Sequence, residues 1–275
     1  MAFPYKVGFI GVGNMAQAMV KALVDTKTLN PTHIHASNRS PGKLQKAVEN
    51  WGITAAQINE QVIDNCDIIV IAVKPQDFSS AIDPFVSSFH EKQIVVSLAA
   101  GLTLHDLQKK IPQARVVRAM PNTPSVIQRG VVGYLMSDKE KDRGLQVIVE
   151  DLLSPLGAVF QCTDEEQLEA LMVSCSSGTG FVFEFMSYFH DWILERGFEE
   201  ADARRMVVET FLGAAQLAAQ NHDLGLEELQ SRVTSKKGVT AAGLDSMREF
   251  EIERALRYSF EKAALRNREL AKSSN

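Results

Sequence analysis

Residues 5–16, "YKVGFIGVGNMA", pass from a short apolar run through two glycines into helix-forming residues. The run at 5–11 reads as a buried strand, and Asn14 to Val24 reads as a helix. Gly11, Gly13 and Ala16 make the pattern G-x-G-x-x-A at that junction. Such spacing lets the first residue make a tight turn and the second admit a pyrophosphate close to the backbone. The third packs helix against strand, and the helix N-terminus holds phosphate charge. Glycines serving a turn and nothing more are the plain alternative, so the surrounding pattern has to decide.

That pattern is an alternation. Strand-like runs recur at 33–37, 67–73, 93–99, 114–120, 130–136 and 158–162, with helices opening at Ser40-Pro41 and near Thr103. Ser40 suits an N-cap and Pro41 the first helical position. Strands alternating with helices predict a parallel, doubly wound α/β sheet of Rossmann type. Beyond residue 162 the character changes. Thr163 with Glu166 fits a capping box, and apolar periodicity predicts helices at 164–196, 199–221, 225–232 and 240–271, without a strand. The expected organisation is a dinucleotide-binding domain at 1–162 followed by an all-helical domain at 163–275. The closing "RNRELAKSSN" reads as a charged helix end fraying into a tail.

A net charge of -5 and a pI near 5.7 argue against a nucleic-acid partner. No apolar stretch approaches the length of a membrane span, and the first residues lack a signal-peptide layout, so a cytoplasmic protein is expected. Cys66, Cys162 and Cys175 have no metal-ligand spacing and read as reduced thiols. No metal site is expected, and the six histidines show no catalytic spacing.

The end of the second strand bears on which dinucleotide binds. A carboxylate there would accept from a ribose hydroxyl and repel a 2′-phosphate. The chain has "SNRS" instead, in which Asn38 and Ser40 can donate to phosphate and Arg39 can pair with its charge. NADP is favoured over NAD, against the bland reading of Arg39 as a solvated surface charge. "AVKP", ending at Lys74-Pro75, and "LAAG" at 98–101 close two further strands at the sheet edge where ligands of such folds bind. The small residues of "LAAG" leave room for a flat nicotinamide ring.

Together with "RAMPNTP" at 118–124, these motifs make the chain resemble the pyrroline-5-carboxylate reductase family over nearly its whole length. The resemblance implies a cofactor domain followed by an all-helical dimerisation domain that intertwines with its copy, making a homodimer or higher homo-oligomer. It implies hydride transfer from NADPH to the C=N carbon of 1-pyrroline-5-carboxylate, giving L-proline. Carried over by position, cofactor contacts fall on Ile10, Gly11, Val12, Gly13, Asn14 and Met15. They continue at Asn38, Arg39, Ser40 and Asn59, then at Ala72, Val73 and Lys74, and end at Leu98, Ala99 and Ala100. Substrate contacts fall near Glu165, on Ser176 to Gly180 with Ser177, Gly178 and Thr179, and on Val239 and Thr240; the residues' own placing adds Asn122 and Gly238 as candidates. Family members usually read S-P-G-G-x-T where this chain has "SKKGVT" (235–240), and S-G-S-G-P-A-Y where it has "CSSGTGF" (175–181). These departures lie on the substrate side.

Two readings attach to each substrate-side residue. Thr240 can be a plain N-cap; the N–H groups of Gly238, Val239 and Thr240 can also hold a carboxylate, and the Thr240 hydroxyl can assist protonation of the imine nitrogen as the catalytic group. Lys236 and Lys237 can attract an acid or be solvated. Glu165 can contact substrate or only complement a helix dipole. Ser177, Gly178 and Thr179 can kink a helix at the pocket or only permit close packing. Asn122, between Pro121 and Pro124, can position substrate or a loop. Two other functions remain beside the reductase: an NADP-dependent imine reductase of different substrate, and a non-catalytic NADP-binding dimer. A β-hydroxyacid dehydrogenase is disfavoured, because no lysine lies between Thr163 and Ser235 to shuttle a proton.

Overall fold

Val7–Ile10 forms β1, buried on both faces, and its uncharged residues fit a strand covered by helices on either side. The computed structural model describes residues 3–137 and 143–273. After β1 come α1 (Asn14–Asp25), β2 (Ile34–Ser37), α2 (Pro41–Trp51), β3 (Thr54–Ala55), α3 (Asn59–Asn65) and β4 (Ile68–Ile71). Then follow α4 (Phe78–Ile82), β5 (Ile94–Ser97), α5 (Leu104–Lys110), β6 (Arg115–Pro121), β7 (Gly130–Met136), α6 (Arg143–Leu153) and β8 (Gly157–Gln161). Side chains of β4 alternate between two cores. Ile68 and Val70 join Phe9, Met19 and Val96 on one face, while Ile69 and Ile71 join Ile63, Phe78 and Leu107 on the other.

The strands form one sheet in the order β3-β2-β1-β4-β5-β6-β7-β8, with the order reversing direction between β1 and β4. β3 is a two-residue edge strand that has no recognisable sequence signal. The sequence predicts a parallel sheet, but the sheet is mixed. β7 runs antiparallel to β6, and β8 follows β7 in parallel. The link at 122–129 holds only a 3₁₀ turn, Thr123–Ile127. A parallel crossover needs a dozen or more residues, so this link can only reverse the chain.

No strand follows Gln161 among the described residues. Helices α7 (Glu165–Leu171), α8 (Gly178–Leu194), α9 (Glu200–Gln220), α10 (Leu226–Arg232), α11 (Val239–Glu249) and α12 (Ile252–Ser273) complete the chain. Three expectations are corrected here. Asp164, not Thr163, caps α7: its carboxylate accepts from the Gln167 N–H at 2.8 Å, and Gln167 returns the bond to the Thr163 N–H. The helix expected at 164–196 is interrupted by a π-helical segment, Met172–Ser177. The helix expected at 240–271 breaks at Phe250 and Glu251, where Glu251 adopts φ 51 without a glycine or proline to announce it. Of the charged end expected to fray, residues 266–273 are helical as part of α12, and Ser274 and Asn275 lie outside the described residues.

Contacts divide the chain into Met1–Thr179 with Ala263–Asn275, and Gly180–Lys262. In the first unit, Glu169 of α7 accepts from Asn267 and Arg268 of α12. The second unit has almost no core of its own. Only Ala203 and Val207 are fully buried there, while Phe183, Trp192, Phe250 and Tyr258 are exposed.

Gly157 opens β8 at φ 139, paired with Gly130, and a Cβ there would lie 2.1 Å from the Gly130 carbonyl oxygen. Both backbone strain and a clash with ladder backbone oppose a side chain. Gly157→Ala is expected to cost roughly 3 kcal/mol or more, read as a lowered urea midpoint.

Candidate functional site

A cleft of about 550 Å³ opens at the carboxyl ends of β1, β2 and β4, where the strand order reverses. Open α/β sheets bind ligands at that switch point. Its floor is the turn from β1 into α1. Gly11 stands at φ 96, and a Cβ on it would lie 2.9 Å from the Ala72 carbonyl oxygen. Its N–H donates to the Ser37 carbonyl at 2.9 Å, tying the turn to β2. Gly13 caps α1 at φ -77, a value open to any residue, so its missing Cβ leaves space rather than conformational freedom. No side chain caps α1 and no acid lies in its first turn. The uncapped N–H groups and the positive end of the helix dipole therefore begin at the cleft.

Asn38 binds this turn to the second strand. Its Oδ1 accepts from the Val12 N–H at 2.9 Å, and its Nδ2 donates to the Ser40 carbonyl at 2.9 Å. These bonds tie the turn after β1 to the segment between β2 and α2. Ser40 precedes α2 at the N-cap position, and its hydroxyl makes no capping bond. Asn59 accepts from the Ser37 hydroxyl at 2.7 Å and donates to the Ala81 carbonyl at 2.9 Å. Arg39 reaches across to Asp77, with Nη1 donating to Oδ1 at 3.0 Å.

The cleft brings together Ile10, Gly11, Val12, Gly13, Asn38, Arg39, Ser40, Asn59, Ala72, Val73 and Lys74 from the expected cofactor residues. It adds Lys43, Gln57, Gln76, Asp77 and Ser80, which sequence reasoning missed. Asn14 and Met15 lie in the first turn of α1 without lining the cleft, and Leu98, Ala99 and Ala100 follow β5 outside it. A dinucleotide fits what is present: a left-handed glycine under the backbone path, an uncapped helix start, and three cationic side chains, Arg39, Lys43 and Lys74.

The expected substrate residues fall into two groups. Glu165, in the first turn of α7, accepts from the Leu104 N–H at 2.6 Å and pairs with Arg118 Nη1. Arg118 is 6% exposed, and burial pulls its pKa below the usual arginine value while Glu165 opposes the shift. Asn122 is also buried, and both ends of its amide are used. Its Oδ1 accepts from the Val131 N–H at 2.8 Å, and its Nδ2 donates to the Cys175 carbonyl at 3.1 Å. Thr179 Oγ1 donates to that same carbonyl at 3.0 Å, so Asn122 and Thr179 both bind a carbonyl of the π-helical segment. Gly178 is buried at the start of α8, and Ser177 is exposed.

Gly238, Val239 and Thr240 form the start of α11. Gly238 is the N-cap, Val239 and Thr240 are the first two helical residues, and no side chain caps the helix. Thr240 is therefore not the cap. The Gly238 N–H is committed to the Ser235 carbonyl at 2.9 Å, which leaves the N–H groups of Val239 and Thr240 for a ligand. Lys237 stands at φ 59, the left-handed conformation that a glycine adopts without strain. No thiol competes as a nucleophile in the first unit's core. Burial, with Asp67 beside it, pushes Cys66 up to about 12, and burial also raises Cys162. No cluster of metal ligands exists among the described residues.

Residues 165–270 match the family model for pyrroline-5-carboxylate reductase dimerisation, and residues 6–101 match that for NADP oxidoreductase, coenzyme F420-dependent. A pyrroline-5-carboxylate reductase of Pseudomonas aeruginosa is 30% identical over 267 residues, covering 97% of this chain and 97% of that protein. The chain belongs to the pyrroline-5-carboxylate reductase family. Among solved structures, the reductase from Coxiella burnetii matches with a TM-score of 0.90 at 29% identity, covering 97% of this chain and 98% of that one. The Plasmodium falciparum pyrroline carboxylate reductase, solved with NADP bound, shares the fold with a TM-score of 0.85 at 21% identity, covering 98% and 100%.

In this reductase-family chain the Glu165–Arg118 pair joins the helical segment to the sheet. Glu165→Ala would strand a buried guanidinium, whose Nε already has no partner. The Glu165 side chain is 38% exposed, so water recovers part of the loss. The expected cost is about 2 kcal/mol in thermal unfolding, with a smaller loss for Glu165→Gln, which keeps an acceptor for Leu104.

Proposed function

We propose that this chain reduces 1-pyrroline-5-carboxylate to L-proline, the final step of proline biosynthesis, with NADPH as hydride donor. One observation carries the reading: the similarity to named reductases spans the cofactor-binding and helical segments together, over nearly the full length of both chains. In functional terms residues 1–162 bind the cofactor, and 163–275 dimerise and bind substrate. The apolar surface of the second unit supports a homodimer, since its helices bury so little of Phe183, Trp192 and Tyr258 by themselves. Three unpaired cysteines support a reducing, cytoplasmic setting. No helix among the described residues is long and apolar enough to cross a membrane.

When bound, the cofactor supplies a hydride to the C=N carbon of the imine. Ile10 to Gly13 would hold the pyrophosphate at the turn, and Asn14 and Met15 would offer it the uncapped first turn of α1. Arg39 and Ser40 take the 2′-phosphate, with Asn59 shaping the adenosine side. Ala72 to Lys74 in the cleft, and Leu98 to Ala100 after β5, would face the nicotinamide half. The substrate carboxylate takes the N–H groups at the start of α11, where the helix dipole favours an anion. The Thr240 hydroxyl holds the imine nitrogen and assists delivery of its proton. Glu165, Asn122 and Ser177 to Thr179 act by positioning: the first two fix α7 and the π-helical segment, and Thr179 completes the hold on Cys175.

The test is NADPH oxidation, followed by absorbance, with purified protein and 1-pyrroline-5-carboxylate, beside a pyrroline lacking the carboxylate. Turnover should require the carboxylate. Thr240→Ala should lower kcat by roughly 100-fold, while Thr240→Ser keeps most of it. Turnover of other imines with none of this one would make the chain an imine reductase of different substrate. Cofactor binding without turnover of any imine would make it a non-catalytic dimer.

A further inference from the structure

Arg39 follows β2 and Asp77 follows β4, so they approach from opposite sides of the β1 turn. Their ion pair, 3.0 Å from Nη1 to Oδ1, spans the cleft. The Arg39 side chain is 86% exposed and makes no other described bond, while Asp77 is 30% exposed. Among the described lining residues, Arg39, Lys43 and Lys74 are cationic and Asp77 alone is acidic. The end of β2 lacks the carboxylate that NAD sites place there, but the turn after β4 brings one to the same side chain.

We propose that Asp77 is a specificity-determining residue: it competes with the cofactor's 2′-phosphate for Arg39 and so limits the preference for NADPH over NADH. This inference rests on the reading of the cleft as a dinucleotide site. With no phosphate present, Asp77 neutralises Arg39 and holds it in place. An incoming 2′-phosphate has to displace that carboxylate and then sit beside it, whereas NADH makes no such demand. An exposed pair of this kind is weak enough to break on binding. The repulsion between carboxylate and phosphate stays, screened by solvent around the exposed guanidinium, because Arg39 draws both to itself. Asp77 acts in this way only through Arg39, so its effect depends on Arg39 being there.

The experiment is equilibrium binding of NADPH and of NADH, read by nucleotide fluorescence, which needs no turnover. It compares the wild type, Asp77→Asn, Arg39→Ala and the double variant. Asp77→Ser runs beside Asp77→Asn, because Asp77 also stands at the start of α4 and serine suits that position. Removing the carboxylate should raise the ratio of NADH to NADPH dissociation constants by about three- to tenfold. In the Arg39→Ala background the same change should move the ratio by less than about twofold. An unmoved or lowered ratio in Asp77→Asn overturns the competition, and so does an equal effect without Arg39. A wild type that binds neither dinucleotide overturns both this inference and the reading of the cleft. Tight binding of both with an unmoved ratio overturns the role of Asp77 alone.

Discussion

The Ala72 carbonyl oxygen would lie 2.9 Å from a Cβ on Gly11, and the rest of the cofactor site depends on that approach. β1 and β4 pair in register through Ile10 and Ile71, so the chain leaving β1 turns directly over the chain leaving β4. Only glycine can make that turn at φ 96 with a backbone oxygen so near. Once made, the turn sets the start of α1 at the sheet edge, and Asn38 ties the same loop to β2. Three strands thus converge on one short segment. The parallel pairing that brings them together also requires both sheet faces to be covered, which is why β4 carries no charge.

The helical segment is organised differently. Near the sheet it is held by polar contacts: Glu165 to Arg118 and the Leu104 N–H, and Asn122 to the Cys175 carbonyl. The π-helical segment persists where Asn122 and Thr179 both engage a carbonyl of that turn, consistent with such segments needing outside partners. Residues 180–262 follow the opposite logic. Their helices leave large aromatic side chains exposed, a surface suited to burial against a second copy, in keeping with the dimerisation model that residues 165–270 match.

Much of the fold was legible from local pattern. The strand-to-helix rhythm, the glycine turn and the helical second half follow from periods and breakers that each segment carries in itself. The reversal at β7 was less visible, because the run at 130–136 reads the same in either direction. Only the shortness of the link before it points to antiparallel pairing. The break at Glu251 had no local sign at all, since neither glycine nor proline marks it. Spacing was enough to single out Gly11, Gly13 and Arg39, which the structure brings to one cleft. The bonding of Asn38 could not be read from it, because its position is equally consistent with facing a phosphate or the Val12 N–H. Asp77 and Lys43 were missed for the same reason: nothing local says which loops share an edge.

The sequence by itself determined the class of the fold, the place of the cofactor turn and the family, because those depend on residue types at short, fixed spacings. Tertiary structure decided which side chains meet. Arg39 and Asp77 are 38 residues apart in sequence, and Arg118 and Glu165 are 47 apart. Each pair exists because strand order and helix packing bring distant chain ends together, with charge and burial then selecting partners. Strand order is set by the global arrangement of two cores, and no short window of residues contains it.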